Sequence, residues 1–414
     1  MTADNAWLLV ASALVIFMTP GLAFFYGGLV KAKSVVSMMM LSFGSLGLIS
    51  VLWVLYGYNI GSGLTGSGLT HFFGNPFSDF GLLDAATGKG DVSLISVIFD
   101  GSFAIITVAL ISGAVADRAR FWPWMLFAGL WGTFDYFVVK GWVWNADHGW
   151  IFNFGDTGVL DWAGGTAVHI NAGAAALALA LVLGKRKTGF SKEEQVPHNV
   201  PLVLIGTAIL WFGWFGFNAG YNGATDAGAG LIALNTLVAP AAAMLGWIII
   251  ERIKDGKSTA VGAASGVVAG LVAITPACAH VNPVWAIVLG LIAGVVCAFA
   301  VGLKFRLGFD DSLDVVGIHM VGGFIGCWFL GFFAQYLPGE DGVADNATGL
   351  FLGGNADQLI AQVVCSLAVA VFSFVLAYVI GFLIEKTIGF RAKEEDEVAG
   401  IDLAIHEPGY SELV

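Results

Sequence analysis

Charge is what this sequence has least of. Of its 414 residues only 12% are Asp, Glu, Lys or Arg, against about a quarter in soluble domains. The hydrophobic share is 57%, with 57 Gly and 14 Trp, and the mean hydropathy is +0.83. This balance excludes an ordinary soluble enzyme and points to a polytopic membrane protein. The formal charge of -12 says little about a partner, since much of it lies in loops and in the tail run Glu394, Glu395, Asp396, Glu397; no nucleic-acid partner is expected. Cysteine is scarce too. Cys278, Cys297, Cys327 and Cys365 stand singly in apolar runs without Cys-x-x-Cys spacing, so small core residues are expected, not ligands or disulfides. Rings of carboxylates and the repeated carbonyl motif of a potassium filter are also missing, which argues against a hydrated metal ion as cargo.

What is there is a series of apolar runs. A hydrocarbon core about 30 Å thick needs about 20 residues of helix. Runs of that kind lie at about 7–30, 36–58, 92–115, 121–139, 161–183, 199–218, 229–250, 258–276, 283–303, 313–335 and 357–384, predicting eleven spans by that length rule. The first lacks a basic n-region and a small-residue cleavage site, so it reads as a retained helix. Of the 18 Lys and Arg, all but Lys89 and Lys140 fall in loops that share one side. The positive-inside rule then puts the N-terminus outside and the C-terminus inside. A membrane domain is expected over 1–384 and a cytosolic tail over 385–414.

Five spans precede the basic loop "GKRKTGFSKEEQVPHN", five follow it, and a long helix closes the chain. Two blocks of five have opposite orientation, which is the plan of an inverted repeat with its site near the bilayer midplane. The fold class expected is therefore an all-α polytopic membrane protein with an inverted five-plus-five repeat plus a closing helix. The last span of each block holds a histidine: His169 in "DWAGGTAVHINAGAAALALALVLGKR" and His319 in "DVVGIHMVGG". His169 lies about 12 Å of helix beyond Asp161, and His319 about 7–8 Å beyond Asp314. Ionisable groups inside a bilayer are costly and functional by default. A neutral imidazole donates from one nitrogen and accepts at the other, so two in contact suit a small polar solute that gains or loses a proton. Haem or copper ligation is the rival use. It wants further ligands at helical spacing, and the other five histidines fall in loops or at helix ends, so no cofactor and no enzyme activity are expected.

Aromatic residues concentrate in "VIFDGSFAIIT", "WFGWFGFNAG" and "GWVWNADHGW". Phe99 and Phe103 share a face; Trp211, Trp214 and Phe217 follow, with Trp142 and Trp144. Most are expected at lipid-facing or interfacial positions, although aromatic faces at a mouth also hold a partly desolvated cation for about 0.5–2 kcal/mol. Pro20 in "MTPG" and Pro276 in "ITPA" are expected to kink their helices. Small-xxx-small series such as Gly262, Gly266, Gly270 and Gly290, Gly294 signal tight helix packing.

Together, "MTPGLAFFYGGLV", "FDGSFAIITVALISGAVADRARF", the two histidine motifs, "WFGWFGFNAG" and the tail "DEVAGIDLAIHEPGY" resemble the ammonium transporter family (the Amt, methylammonium permease and Rhesus group), in a bacterial Amt-like form. The resemblance covers nearly the whole chain. It implies a homotrimer in the cell membrane with one pore per subunit: His169 and His319 as twin pore histidines, Phe103 and Phe217 as a stacked phenyl gate, Trp144 as the mouth aromatic, and Asp161 as the acid of the recruitment site. An N-cap with "DxxG" spacing is a second reading of Asp161 that does not exclude the first. The implied mechanism is recruitment of ammonium outside, deprotonation near the gate, and passage of ammonia along the histidines.

The departures cluster at the outer mouth. Tyr221 stands where the family usually has Ser, Asp100 where it has Gln, and Val138 and Lys140 interrupt the usual pattern before Trp144. Asp100 is expected either to pair with Lys140 or to strengthen cation recruitment. The tail carries the family's pattern in Glu397, Val398, Gly400 and Asp402, with His406 and Tyr410 beyond, which implies coupling between subunits and docking of a PII-type signal protein; a solvated acidic tail is the plainer reading. An ammonium sensor that binds without conducting is the alternative function.

Overall fold

The computed structural model describes residues 2–89, 92–187, 189–191, 195–335 and 347–406. Among them the secondary structure is helical throughout, with a single isolated bridge between Ala119 and Arg391. Among the described residues nine helices are long and apolar enough to cross a bilayer: α1 (Ala3–Leu29), α2 (Ala32–Ser62), α3 (Leu94–Val115), α5 (Gly165–Leu183), α6 (Val200–Gly220), α7 (Ala227–Asp255), α9 (Pro283–Leu307), α10 (Val316–Phe333) and α11 (Asp357–Thr387). Helices also stand at the two other expected places. α4 (121–144) takes in Asp135 and Lys140, and α8 (Ala260–Ile274) has only 15 residues. Two short helices, α12 (Glu394–Ala399) and α13 (Ile401–Ile405), follow.

Boundaries moved where side chains compete for the backbone. The fifth helix starts at Gly165 and not at 161, because the Asp161 carboxylate caps it from outside. Pro276 ends α8 instead of kinking it. The carbonyls of Thr275 and Pro276 are then free to accept from Ala163 N (3.3 Å) and Trp162 N (3.2 Å). Pro20 does lie inside α1.

Four helices contain a wide π-helical turn: Trp53–Gly57, Gly132–Tyr136, Gly165–Ile170 and Val316–Met320. The last two carry His169 and His319. Such turns recur at functional sites because they re-aim a side chain at the expense of regular bonding.

Lipid tails give no hydrophobic drive for helices to associate, so close packing must supply it. A Cβ on Gly290 or Gly294 of α9 would lie 2.1 Å from the Ala239 or Ala243 carbonyl of α7. Only glycine permits that approach. Gly173 does the same between the two histidine helices, where a Cβ would meet Met320 Cβ at 2.5 Å. All four cysteines are buried, as expected of small core residues.

The basic end of the bundle is closed by buried ion pairs. Arg186 binds both oxygens of Asp310, at 3.0 Å through Nε and 2.9 Å through Nη2, and reaches Asp117 at 3.2 Å. Arg118 donates to Ala114 O at 2.9 Å and lies 3.9 Å from Asp310. Burial pushes the Asp310 carboxyl up, but Arg118 and Arg186 outweigh it and hold the group below the ordinary carboxylate range. Burial lowers Arg118 to about 10, so it stays charged. The cluster joins the α3–α4 link, the start of the α5–α6 loop and the α9–α10 link.

Removing one partner leaves an uncompensated buried charge, which costs about 3–5 kcal/mol. Asp310→Asn is therefore expected to lower the unfolding midpoint in detergent sharply. Lys187→Ala, which loses an exposed pair to Glu394 at 3.1 Å, is expected to cost about 1 kcal/mol or less. Equal shifts from both in a thermal melt would refute the assignment.

Candidate functional site

Each histidine turn is held from outside its helix by an aspartate. The Asp161 carboxylate accepts four backbone N–H groups: those of Gly164 (3.1 Å), Gly165, Thr166 (2.9 Å) and Ala167 (3.0 Å). Asp311 accepts from Val316 N at 2.7 Å. Helix N-termini leave such donors unpaired, and a carboxylate there is favoured both as acceptor and by the helix dipole. The cap reading of Asp161 thus holds. Asp314, used above only to measure depth, instead pairs with Lys304 at 2.8 Å.

The two turns bring His169 Nδ1 and His319 Nδ1 to 3.2 Å, with ring centroids 5.3 Å apart. Both are buried, at 1% and 4% exposure. One nitrogen of the pair must donate and the other accept. Trp214 stacks on His169 at 5.5 Å and Phe217 at 6.2 Å. Phe217 stacks in turn on Phe103, with centroids 4.1 Å apart at 28°. The histidines, Trp214 and Phe217 line a narrow cavity of about 10 Å³ together with Leu22, Phe25, Ile106 and Val268, room for about one water-sized molecule.

Beyond the phenyl pair the space widens to a vestibule of about 460 Å³ lined by Trp144, Asp156, Asp161, Trp162, Tyr221 and His280. Trp144 meets Phe103 at 5.9 Å and Tyr221 at 5.4 Å, and its Nε1 donates to Asp161 O at 2.8 Å. Wide mouth, aromatic constriction and paired imidazoles therefore follow one another in line.

A sequence profile of the Ammonium Transporter Family matches residues 6–410. The ammonium transporter of Mycobacterium tuberculosis is 50% identical over 434 aligned residues, covering 98% of this chain and 90% of that one. This chain belongs to the ammonium transporter family. An ammonium transporter of Aquifex aeolicus is 43% identical over 98% of this chain and 92% of its own. Among solved structures, one titled a sensor Amt protein superposes with a TM-score of 0.88 at 27% identity, covering 98% of each chain. Mep2 of Candida albicans gives 0.83 at 31% identity, over 95% of this chain and 87% of that one. Family membership makes the chain a multi-pass membrane transporter and not an enzyme.

Measured against that family, the unusual outer residues resolve as follows. Asp100 pairs with Lys140 at 2.8 Å. Lys140 also donates to Ser62 Oγ at 2.9 Å and lies over the rings of Trp53 and Tyr58. Of the two readings of Asp100, the structure holds the pair. Tyr221 does reach the vestibule, between Trp144 and Trp162.

Among the described residues, the tail docks against the bundle through Glu397, Gly400 and Asp402 while Glu394 and Glu395 stay exposed. Asp402 accepts from Val36 N (3.0 Å) and Ser37 N (2.7 Å) at the start of α2. Glu397 pairs with Arg391 at 2.8 Å, and Gly400 has φ +121° against the Lys33 side chain. His406 packs on Phe121; Tyr410 lies outside the described residues.

One expectation needs correction. Phe99, Phe103, Trp214 and Phe217 are buried, not lipid-facing or interfacial; spacing along one helix does not say which face meets another helix. The sequence reading also passes over Asp135, although a carboxyl inside the apolar run "WGTFDYFVV" is itself a signal.

The second cap carries a pH dependence. Burial raises Asp311 to about 6, partly offset by Lys304, above an unfolded value of about 4. The folded state then binds the proton more tightly, so stability from this group is present below about pH 4 and is lost as pH rises toward 6. Between pH 6.5 and 4.5 the wild-type melting midpoint should gain relative to Asp311→Asn. A parallel pH slope in both proteins would contradict this.

Proposed function

We propose that this family member carries ammonium inward and conducts it as ammonia through the histidine-lined passage. The carrying observation is the 3.2 Å contact between His169 and His319 directly beneath the stacked Phe103 and Phe217. A cation is recruited in the vestibule by the faces of Trp144 and Tyr221, with the field of Asp161 behind them. It gives its proton to water of the vestibule at the phenyl gate, because a bare charge in the apolar passage is costly while ammonia is not, and that proton crosses by a separate route, so each turnover moves one net charge. The neutral histidines offer one donor and one acceptor edge along an otherwise apolar wall.

The chain crosses the membrane eleven times, N-terminus outside and C-terminus inside, as two inverted halves plus α11. Support comes from the one-sided distribution of Lys and Arg and from matching π-helical turns and aspartate caps at both histidines. By resemblance to the family it works as a homotrimer, and the docked tail through Gly400 and Asp402 is the surface for control by a PII-type protein.

Charge movement after an ammonium jump in proteoliposomes tests the reading. A sustained current is expected from the wild type and a loss of at least about tenfold, roughly 1.4 kcal/mol in the barrier, from His169→Ala with His319→Ala. A brief transient that neither substitution alters would mean binding without conduction, the behaviour of a sensor, and would overturn transport.

A further inference from the structure

Asp135 sits in the middle of α4, within the π-helical turn Gly132–Tyr136, and is completely buried. Its polar neighbours are the side chains of Asn171 on α5 and Ser373 on α11, themselves fully buried. Yet neither carboxyl oxygen has a well-aligned hydrogen bond, and Asn171 Oδ1 is likewise unpaired. Elsewhere in the bundle buried acids have visible compensation. Asp310 has two arginines, Asp100 has Lys140, and Asp161 has four backbone donors.

A carboxylate at Asp135 would be an uncompensated charge inside the bilayer. A carboxylic acid there would instead be neutral, with one O–H to donate to an acceptor such as the unpaired Asn171 Oδ1 and a carbonyl oxygen left to accept.

These neighbours lead straight to the pore. Asn171 Nδ2 donates to Ala167 O at 3.2 Å, inside the turn that holds His169, and Ser373 Oγ donates to Asn171 O at 2.9 Å. Ala167 N is also one of the donors to Asp161. The turn is thus gripped from the vestibule side by Asp161 and from the far side through Asn171. We infer that Asp135 is a positioning residue for transport: a neutral carboxylic acid whose contact with Asn171 and Ser373 fixes the turn that carries His169. The inference rests on the proposed role of His169 in the pore.

The test uses the full-length protein in proteoliposomes, as wild type, Asp135→Asn and Asp135→Ala. Asparagine keeps a neutral donor and should hold the ammonium-jump current within about twofold of wild type. Alanine removes it and should lower the saturating current about tenfold, since small displacements of a reacting group are expensive. The half-saturating ammonium concentration should stay unchanged, because the vestibule is untouched. Infrared absorption at neutral pH should show a carboxylic-acid carbonyl band, shifted in heavy water, that Asp135→Asn lacks.

Asparagine failing as badly as alanine, alanine keeping full current, or no acid band lost in Asp135→Asn would each overturn the inference. If Asp135→Ala does not assemble, the asparagine current and the infrared band decide. A wild type without current would sink the transport reading instead, while the band would still report whether Asp135 holds its proton.

Discussion

The contact between two imidazoles in the middle of the bundle is the constraint around which the rest of this structure is arranged. Two buried histidine rings with nitrogens 3.2 Å apart are compatible only if one donates and the other accepts, so they share a proton and are not both cationic. Holding them there takes backbone work. Each sits on a wide helical turn, and each turn is tied down by an aspartate that lies outside the helix. Gly173 then allows α5 and α10 to close upon each other. The site is stiff because backbone donors, not mobile side chains, anchor it.

Charge is distributed accordingly. Strong, buried ion pairs collect at the basic end, where Arg186, Arg118, Asp310 and Asp117 knit three connections together and the tail docks against the same region. Toward the vestibule end Asp100 is neutralised by Lys140, which leaves the vestibule surface to aromatic faces and the capped Asp161. Between the two ends, the passage walls are apolar except for the histidines. Asp135 is the exception that this pattern makes conspicuous.

Much of this was legible beforehand, because composition and run length respond to the bilayer and not to any particular neighbour. Each of the nine long helices found among the described residues overlaps one expected run, and the two histidines stand out as ionisable groups in apolar surroundings. The phenyl pair was reached through resemblance, not through spacing. Where the reading went wrong, a side chain had competed for backbone groups or a helix face had been assigned without its partner. Asp161 delayed the start of α5, Pro276 stopped α8, and Trp214 turned inward against His169.

By itself the sequence determined a helical membrane protein, the approximate place of its helices and the membrane depth of the two histidines, since each follows from how many apolar residues fit a hydrocarbon layer. Only the tertiary structure decided that the histidines touch, that Asp100 is spent on Lys140, and that Asp135 faces Asn171 without a charge to balance it. Those outcomes depend on distances between residues far apart in the chain, from 36 positions for Asp135 and Asn171 to 150 for the histidines, and no local pattern encodes a distance of that kind.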